Sequence, residues 1–127
     1  MNPSPIEQIA RIKRALLSIR IPATPGEYDL HEMIGCALCA ADIDFCHEVN
    51  LAPRCRIDFL AGDIGIEVKQ GKQPKKQLEA QVTRYLASPK LSALILITTR
   101  GAMIPGMVNG KPVEIVGLNR LWGVALP

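Results

Sequence analysis

Two acids and one amine stand close together near the middle of the chain: Asp58, Glu67 and Lys69. Glu67 and Lys69 are two residues apart in an apolar segment, residues 64–70, that predicts a β-strand. Alternate residues of a strand share a face, so both side chains are expected on one face and Ile64, Ile66 and Val68 on the face toward the core. The segment therefore predicts a carboxylate and an ammonium that project together from a half-buried strand.

Asp58 lies in the preceding predicted strand, residues 54–60, on the face expected to be opposite Ile57 and Phe59. The short turn at Ala61-Gly62-Asp63 makes the two strands antiparallel neighbours, so Asp58 is expected to meet Glu67 and Lys69 at one end of a hairpin. Carboxylates brought together repel each other, and a divalent cation is the usual relief. The three residues therefore predict a cation site.

The hydrophobic pattern predicts the elements that position these side chains. Helical spacing of apolar residues predicts helices over residues 5–20 and 27–41, separated by a segment with two prolines and a glycine. Residues 45–51, 54–60 and 64–70 then predict a three-stranded antiparallel meander. A helix from the first-turn proline Pro74 to about Ala87, followed by an apolar strand within residues 91–99, predicts a crossover to a parallel strand buried on both faces.

The C-terminal part predicts a small β extension with a tight turn at Asn109-Gly110 and short strands over residues 113–116 and near 122–126. With 127 residues, the chain fits one domain. We expect a single α/β domain over 1–127, with an extra N-terminal helix (1–22), a core (27–99) and this extension (100–127). The apolar stripe of the first helix fits either a partner copy or this chain's own sheet, so a homodimer is an open alternative.

The net charge of +3 is small, but basic residues are concentrated between positions 69 and 90, where Glu79 is the single acid. The basic residues in this patch are Lys69, Lys72, Lys75, Lys76, Arg84 and Lys90. Such a patch is usually a solvated helix face, and it becomes a polyanion-binding surface when reactive groups lie beside it. No apolar run is long enough to cross a bilayer, and we expect a cytoplasmic protein with no membrane contact.

Four cysteines offer a competing interpretation: Cys36, Cys39, Cys46 and Cys55. The first two have Cys-x-x-Cys spacing, and all four together would make a tetrahedral zinc site in an interaction domain. However, the close pair lies inside a predicted helix, and the other two fall on separate strands. Buried free thiols are therefore the favoured expectation.

Arg56-Ile57-Asp58-Phe59 followed by Ile66-Glu67-Val68-Lys69 resembles the PD-(D/E)xK nuclease superfamily, in which an acid on one strand precedes acid-x-Lys on the next. Ile57 stands where the name-giving proline would be. The resemblance covers about residues 27–99 and implies a restriction-endonuclease-like core: a helix, an antiparallel meander, a crossover helix and a parallel strand.

Two further features are similar to the RecB-like and Holliday junction resolvase-like branches of the superfamily. Gln81 and Tyr85 match a Gln-x-x-x-Tyr motif, and residues four apart share a helix face. An acid is also expected on the helix before the sheet, where Glu27 and Glu32 both qualify. Glu27 is preferred because it flanks the buried stripe, with His31 one turn further; His31 is expected to be a packed or surface imidazole rather than a ligand.

The resemblance implies a Mg²⁺- or Mn²⁺-dependent deoxyribonuclease, acting on branched or end-containing DNA. Asp58, Glu67, the Val68 carbonyl and Glu27 would hold the metal, and Lys69 would orient or deprotonate the attacking water. Gln81 and Tyr85 would position the cleaved phosphate. Neighbouring phosphates would contact six basic residues: Arg54, Arg56, Lys72, Lys75, Lys76 and Arg84. Arg54 and Arg56 serve equally well to solubilise a strand. The alternative is a noncatalytic nucleic-acid-binding or assembly module with the same fold.

Overall fold

The computed structural model describes residues 4–19 and 27–118, so the strand predicted near 122–126 and most of the interhelical segment lie outside the described residues. Within these residues, three helices and six strands form an α/β fold. In chain order they are α1 (Pro5–Leu16), α2 (Glu27–Ala40), β1 (Cys46–Ala52), β2 (Cys55–Ala61), β3 (Ile64–Lys69), α3 (Lys75–Leu86), β4 (Ala93–Thr98), β5 (Met107–Val108) and β6 (Lys111–Gly117).

The six strands form a mixed sheet in the order β1-β2-β3-β4-β6-β5. The predicted antiparallel meander is confirmed, since β1 pairs with β2 and β2 with β3 in antiparallel fashion. The predicted parallel unit is also confirmed: α3 connects β3 to β4, and Glu67 lies opposite Leu96 in the parallel register. β6 extends this parallel part.

Two features of the chain differ from the sequence-based expectation. α1 ends at Leu16 rather than near residue 20, and the Ser18 hydroxyl donates a hydrogen bond to the Ala15 carbonyl at 2.7 Å, which occupies an acceptor of the last turn. The short strand β5 was predicted as loop. It pairs with β6 across the predicted turn, where Asn109 and Gly110 have positive φ values of 53° and 73°, as a two-residue hairpin turn requires.

The helices cover opposite sides of the sheet. One apolar cluster joins α1 and α2 to Ile64, Ile66 and Val68 of β3. The other joins α3 to Leu94 and Leu96 of β4, which lie on the other face of the sheet. The first cluster also contains the buried α1 residues Ile9, Ile12 and Leu16. The α1 stripe therefore covers this chain's own core.

The side-to-side alternation of β2 breaks at Asp58. Cys55 and Ile57 pack in the α3-side cluster, whereas Phe59 and Ala61 pack in the cluster on the α1/α2 side. The expectation that Asp58 is opposite both Ile57 and Phe59 is therefore wrong. The neighbouring strand changes at the same place: Glu48 has a left-handed φ of 57° between the partners of Phe59 and Ile57. A local change of strand twist thus turns the start of β2 toward α3.

Ile57 reaches across to β3 because Gly65 has no side chain. A Cβ at Gly65 would lie 2.7 Å from Ile57 Cδ1 and even closer to Leu91 Cδ2, and both of these side chains are buried. Gly65 therefore allows the turned part of β2 to pack on the α3 face of β3.

Gly65→Ala is expected to lower the free energy of unfolding by about 1–3 kcal/mol, because neither buried neighbour can move aside without strain. Urea denaturation followed by circular dichroism measures the change. Gly106→Ala is the matched control, since Gly106 is exposed and nothing lies within 4 Å of an added Cβ. Equal stability of the two variants would contradict the tight packing at Gly65.

Candidate functional site

Asp58 and Glu67 exchange hydrogen bonds with each other's strand. The Asp58 backbone N–H donates to Glu67 Oε1 at 3.1 Å, and the Val68 backbone N–H donates to Asp58 Oδ2 at 2.8 Å. The backbone pairing of β2 with β3 extends over Phe59 to Ala61 and does not include Asp58. Side-chain oxygens therefore take over as acceptors where the main chains of β2 and β3 part, and this fixes both carboxylates.

Lys69 completes the predicted trio. Its Nζ lies 3.4 Å from Glu67 Oε2, and the side chains of Lys69 and Glu67 are 19% and 6% exposed. Both project on the face of β3 opposite Ile64, Ile66 and Val68, as predicted; this face lies on the α3 side, and the strand is more deeply buried than expected. The sequence thus predicted the convergence of Asp58, Glu67 and Lys69 correctly.

The electrostatics of the trio centre on Glu67. The pKa of this carboxyl is raised from its usual 4.5 to about 7: burial is the largest cause and the negative charge of Asp58 the second, while Lys69 and two hydrogen bonds lower it. The single ammonium of Lys69 therefore does not cancel the increase in the pKa of Glu67 caused by burial and by the Asp58 carboxylate. Additional positive charge at this point would favour the ionised form of Glu67.

Tyr85 and Gln81 of α3 extend the site. Tyr85 is buried, and its single hydroxyl proton faces two acceptors, the Glu67 carboxylate and the Arg56 carbonyl at 3.3 Å. Gln81 Nε2 donates to the same hydroxyl at 2.7 Å. Burial and the charge of Glu67 raise the pKa of Tyr85, which keeps it a neutral donor. Both side chains lean toward the trio, as the four-residue spacing predicted.

A chain of polar groups reaches Asp58 from the α2 side. His31 Nε2 lies 3.6 Å from Asp58 Oδ2, and His31 Nδ1 lies 2.9 Å from His47 Nε2. His47 Nδ1 is in turn 3.9 Å from Glu48 Oε1, and Arg56 pairs with the other Glu48 oxygen at 3.4 Å. Neither His47 nor Glu48 was predicted from the sequence as a site residue. The available signal was cross-strand pairing, since His47 lies opposite Phe59, next to Asp58.

Glu27 and Val68 are the two other predicted metal ligands. The side chain of Glu27 lies outside the described residues, and its competitor Glu32 is exposed on α2. Val68 contributes its backbone N–H, while its side chain packs in the α1/α2-side core.

The predicted phosphate-binding residues are all exposed: Arg54, Arg56, Lys72, Lys75, Lys76 and Arg84. Lys72 and Lys75 line a cavity of about 490 Å³ where β3 ends and α3 begins. Arg100, which was not predicted from the sequence, lies in the same wall. This end of the sheet therefore carries three cations that face one space.

The cysteines do not match their predicted burial. Cys55 is buried, but Cys36, Cys39 and Cys46 are exposed, and all four are free. Within residues 4–19 and 27–118, no group of three or more His, Cys, Asp or Glu side chains is arranged around a common metal position. Over the same residues, no helix combines the length and the apolar character needed to cross a membrane.

No family model, curated protein or solved structure matches this chain. The chemistry that this site can perform follows from its own groups. These are two carboxyl groups that accept backbone N–H groups, an adjacent amine, a neutral phenol hydrogen-bonded by an amide, and a pair of imidazoles.

The raised pKa of Glu67 makes stability depend on pH. Because the folded state binds this proton more tightly than the unfolded state, stability is greatest below about pH 4.5 for this group and decreases as pH rises to about 7. Without divalent cations, Glu67→Gln should therefore gain stability relative to the parent protein between pH 5 and pH 8, by about 1–3 kcal/mol. Urea denaturation in EDTA at several pH values measures this difference.

Glu7→Gln serves as the control, since Glu7 is exposed on α1 and should show a difference from the parent that is flat across the same pH range. If the stability difference between Glu67→Gln and the parent protein is also independent of pH, the Glu67 carboxyl does not take up a proton on folding, and the prediction is wrong.

Proposed function

We propose that this protein is a metal-dependent nuclease of the PD-(D/E)xK superfamily that hydrolyses phosphodiester bonds in DNA. The observation that carries the proposal is the reciprocal pair of hydrogen bonds by which Asp58 and Glu67 fix each other beside Lys69. The order of helix, antiparallel meander, crossover helix and parallel strand supports a restriction-endonuclease-like core around this trio.

The donor set fits Mg²⁺ or Mn²⁺. Both ions prefer oxygen, and Mg²⁺ needs few protein ligands because it keeps several waters. One oxygen of each acid accepts a backbone N–H, which leaves Asp58 Oδ1 and Glu67 Oε2 as the proposed carboxylate ligands. The Val68 carbonyl is the third proposed ligand. When bound, the cation would stabilise charge on the phosphoryl oxygens and lower the pKa of a water.

Lys69 has two roles in the proposed reaction. Its ammonium lies beside Glu67 Oε2, where it can hold the attacking water in line with the phosphorus. It also lies where negative charge grows on the phosphoryl oxygens in the transition state, and a fixed cation in a partly buried site stabilises that charge more strongly than water does.

Tyr85 and Gln81 would act on the same phosphate from α3. As a neutral phenol, Tyr85 can donate to a phosphate oxygen in place of the Arg56 carbonyl, and Gln81 keeps its hydroxyl oriented. Lys72, Lys75 and Arg100 lie beyond the end of β3 and would bind neighbouring phosphates without reading sequence. These contacts suit a nuclease that recognises the DNA backbone, such as one acting on branched or end-containing DNA.

The proposed function predicts cleavage of labelled linear, circular or four-way DNA in Mg²⁺ or Mn²⁺. Asp58→Asn and Lys69→Met should each reduce the rate by at least about a hundredfold, because each removes a group that acts in the transition state. Asp63→Asn and Arg14→Met are the controls and should retain the rate, because both residues are exposed and neither belongs to the basic patch. Full activity in either site variant, or no cleavage by the parent protein, would reject the proposal. Metal-independent DNA binding without cleavage would instead support a noncatalytic module.

A metal titration tests the cation site without DNA. A ligand that binds only the folded state at about a hundredfold excess over its Kd adds about 2.7 kcal/mol of stability. Mn²⁺ should therefore raise the Tm of the parent protein and of Asp63→Asn, but not that of Asp58→Asn. An equal rise in all three proteins would mean that the ion binds elsewhere.

A further inference from the structure

Both phenylalanines and both histidines of this chain meet in one cluster. His47 stacks on Phe59 with ring centroids 4.8 Å apart and planes at 23°. His31 packs edge-on against His47 at 5.1 Å, and Phe45 against Phe59 at 5.6 Å. A chain with 4% aromatic residues thus collects four rings beside Asp58.

A cavity of about 540 Å³ opens over these rings, a volume within the range of sites that bind small molecules. Its lining combines the four rings with two acids: His31, Phe45, His47, Phe59, Glu32 and Glu48. Gly35 completes the wall, and a Cβ there would lie 3.3 Å from Phe45 Cζ, so the glycine lets the ring lie close to α2.

The His47 ring offers a stacking surface within this cavity. One of its faces is covered by Phe59, yet 44% of the His47 side chain is exposed. The exposed part is therefore a flat π-surface supported from behind by a buried ring. Nucleobases stack on such surfaces, and each base–aromatic stack contributes about 1–3 kcal/mol to binding.

The two acids of the cavity provide hydrogen-bond acceptors that can distinguish one base from another. Carboxylates accept hydrogen bonds from exocyclic amines such as N4 of cytosine and N6 of adenine, whereas thymine presents the carbonyl oxygen O4 at the equivalent position. Glu48 lines the cavity, and its Oε2 atom pairs with Arg56 at 3.4 Å, which leaves Oε1 available to accept from a base.

The position of the cavity connects it to the reaction. His31 forms part of the lining and also lies 3.6 Å from Asp58 Oδ2. A nucleotide whose phosphate is bound at Asp58 therefore has its own or an adjacent base within reach of the rings. A paired base cannot enter, because its edge and faces are already occupied in the duplex.

We propose that this cavity binds an unpaired, amine-bearing nucleobase next to the cleaved phosphate, so that the protein favours DNA with single-stranded segments over continuous duplex. This inference rests on the proposed nuclease function for its substrate, but the base-binding step requires neither metal nor cleavage. It can therefore be tested separately.

Fluorescence anisotropy in EDTA with short labelled oligo(dC), oligo(dT) and duplex DNA measures the binding step. The parent protein should bind oligo(dC) more tightly than oligo(dT) or the duplex. His47→Ala should weaken oligo(dC) binding about 5- to 150-fold, which is the loss of one stack. His47→Phe restores a flat ring and should bind within about threefold of the parent. Asn50→Ala, exposed on the same strand, should be unchanged.

Glu48→Gln tests the selection of the base and should narrow the preference for oligo(dC) over oligo(dT), because a neutral amide is a weaker acceptor than a carboxylate. The inference is overturned if His47→Ala binds like the parent, if His47→Phe is as weak as His47→Ala, or if oligo(dT) binds as tightly as oligo(dC). Binding that depends on His47 in a protein that cleaves no DNA would reject the nuclease and retain the base site. Cleavage of DNA by the parent protein, together with unchanged oligo(dC) binding in His47→Ala, would reject the base site and retain the nuclease.

Discussion

The site depends on one exchange of hydrogen bonds, in which Asp58 and Glu67 accept backbone N–H groups from each other's strand. Where two strands of a sheet separate, their N–H groups lose ladder partners, and a buried N–H without a partner is costly. The two carboxylates satisfy these donors and are oriented by them. The same contacts therefore close this part of the sheet and fix the orientation of both carboxylates.

Ionisation of the buried acid opposes folding, and this links stability to function. Glu67 lies under α3, so its charge is desolvated, and the nearby charge of Asp58 adds repulsion that Lys69 only partly relieves. An apolar residue would pack here at lower cost. The proposed cation would offset this repulsion, so that part of the cost would be recovered as binding free energy for the cation.

The spacing of residues within one strand or one helix correctly predicted which side chains share a face. The alternation of Ile64, Ile66 and Val68 gave the correct face for Glu67 and Lys69, and helical spacing gave the shared face of Gln81 and Tyr85. The break at Asp58 could not be predicted in this way, because it depends on a left-handed residue in the adjacent strand and on a glycine in the next one. Likewise, His47 reaches the site through pairing with β2, a long-range relation that periodicity does not contain.

The break at Asp58 also explains how one site draws on both layers of helices. In a regular strand, Asp58 would serve a single side of the sheet. Because β2 changes sides there, Asp58 bonds to the strand that carries Glu67 and Lys69 beneath α3, while its Oδ2 atom also lies close to His31 of α2. The α3 side supplies acids, an amine and a phenol, and the α2 side supplies rings and a cavity. The proposed phosphate chemistry and the proposed base recognition would thus lie on separate faces of one sheet and share a single carboxylate.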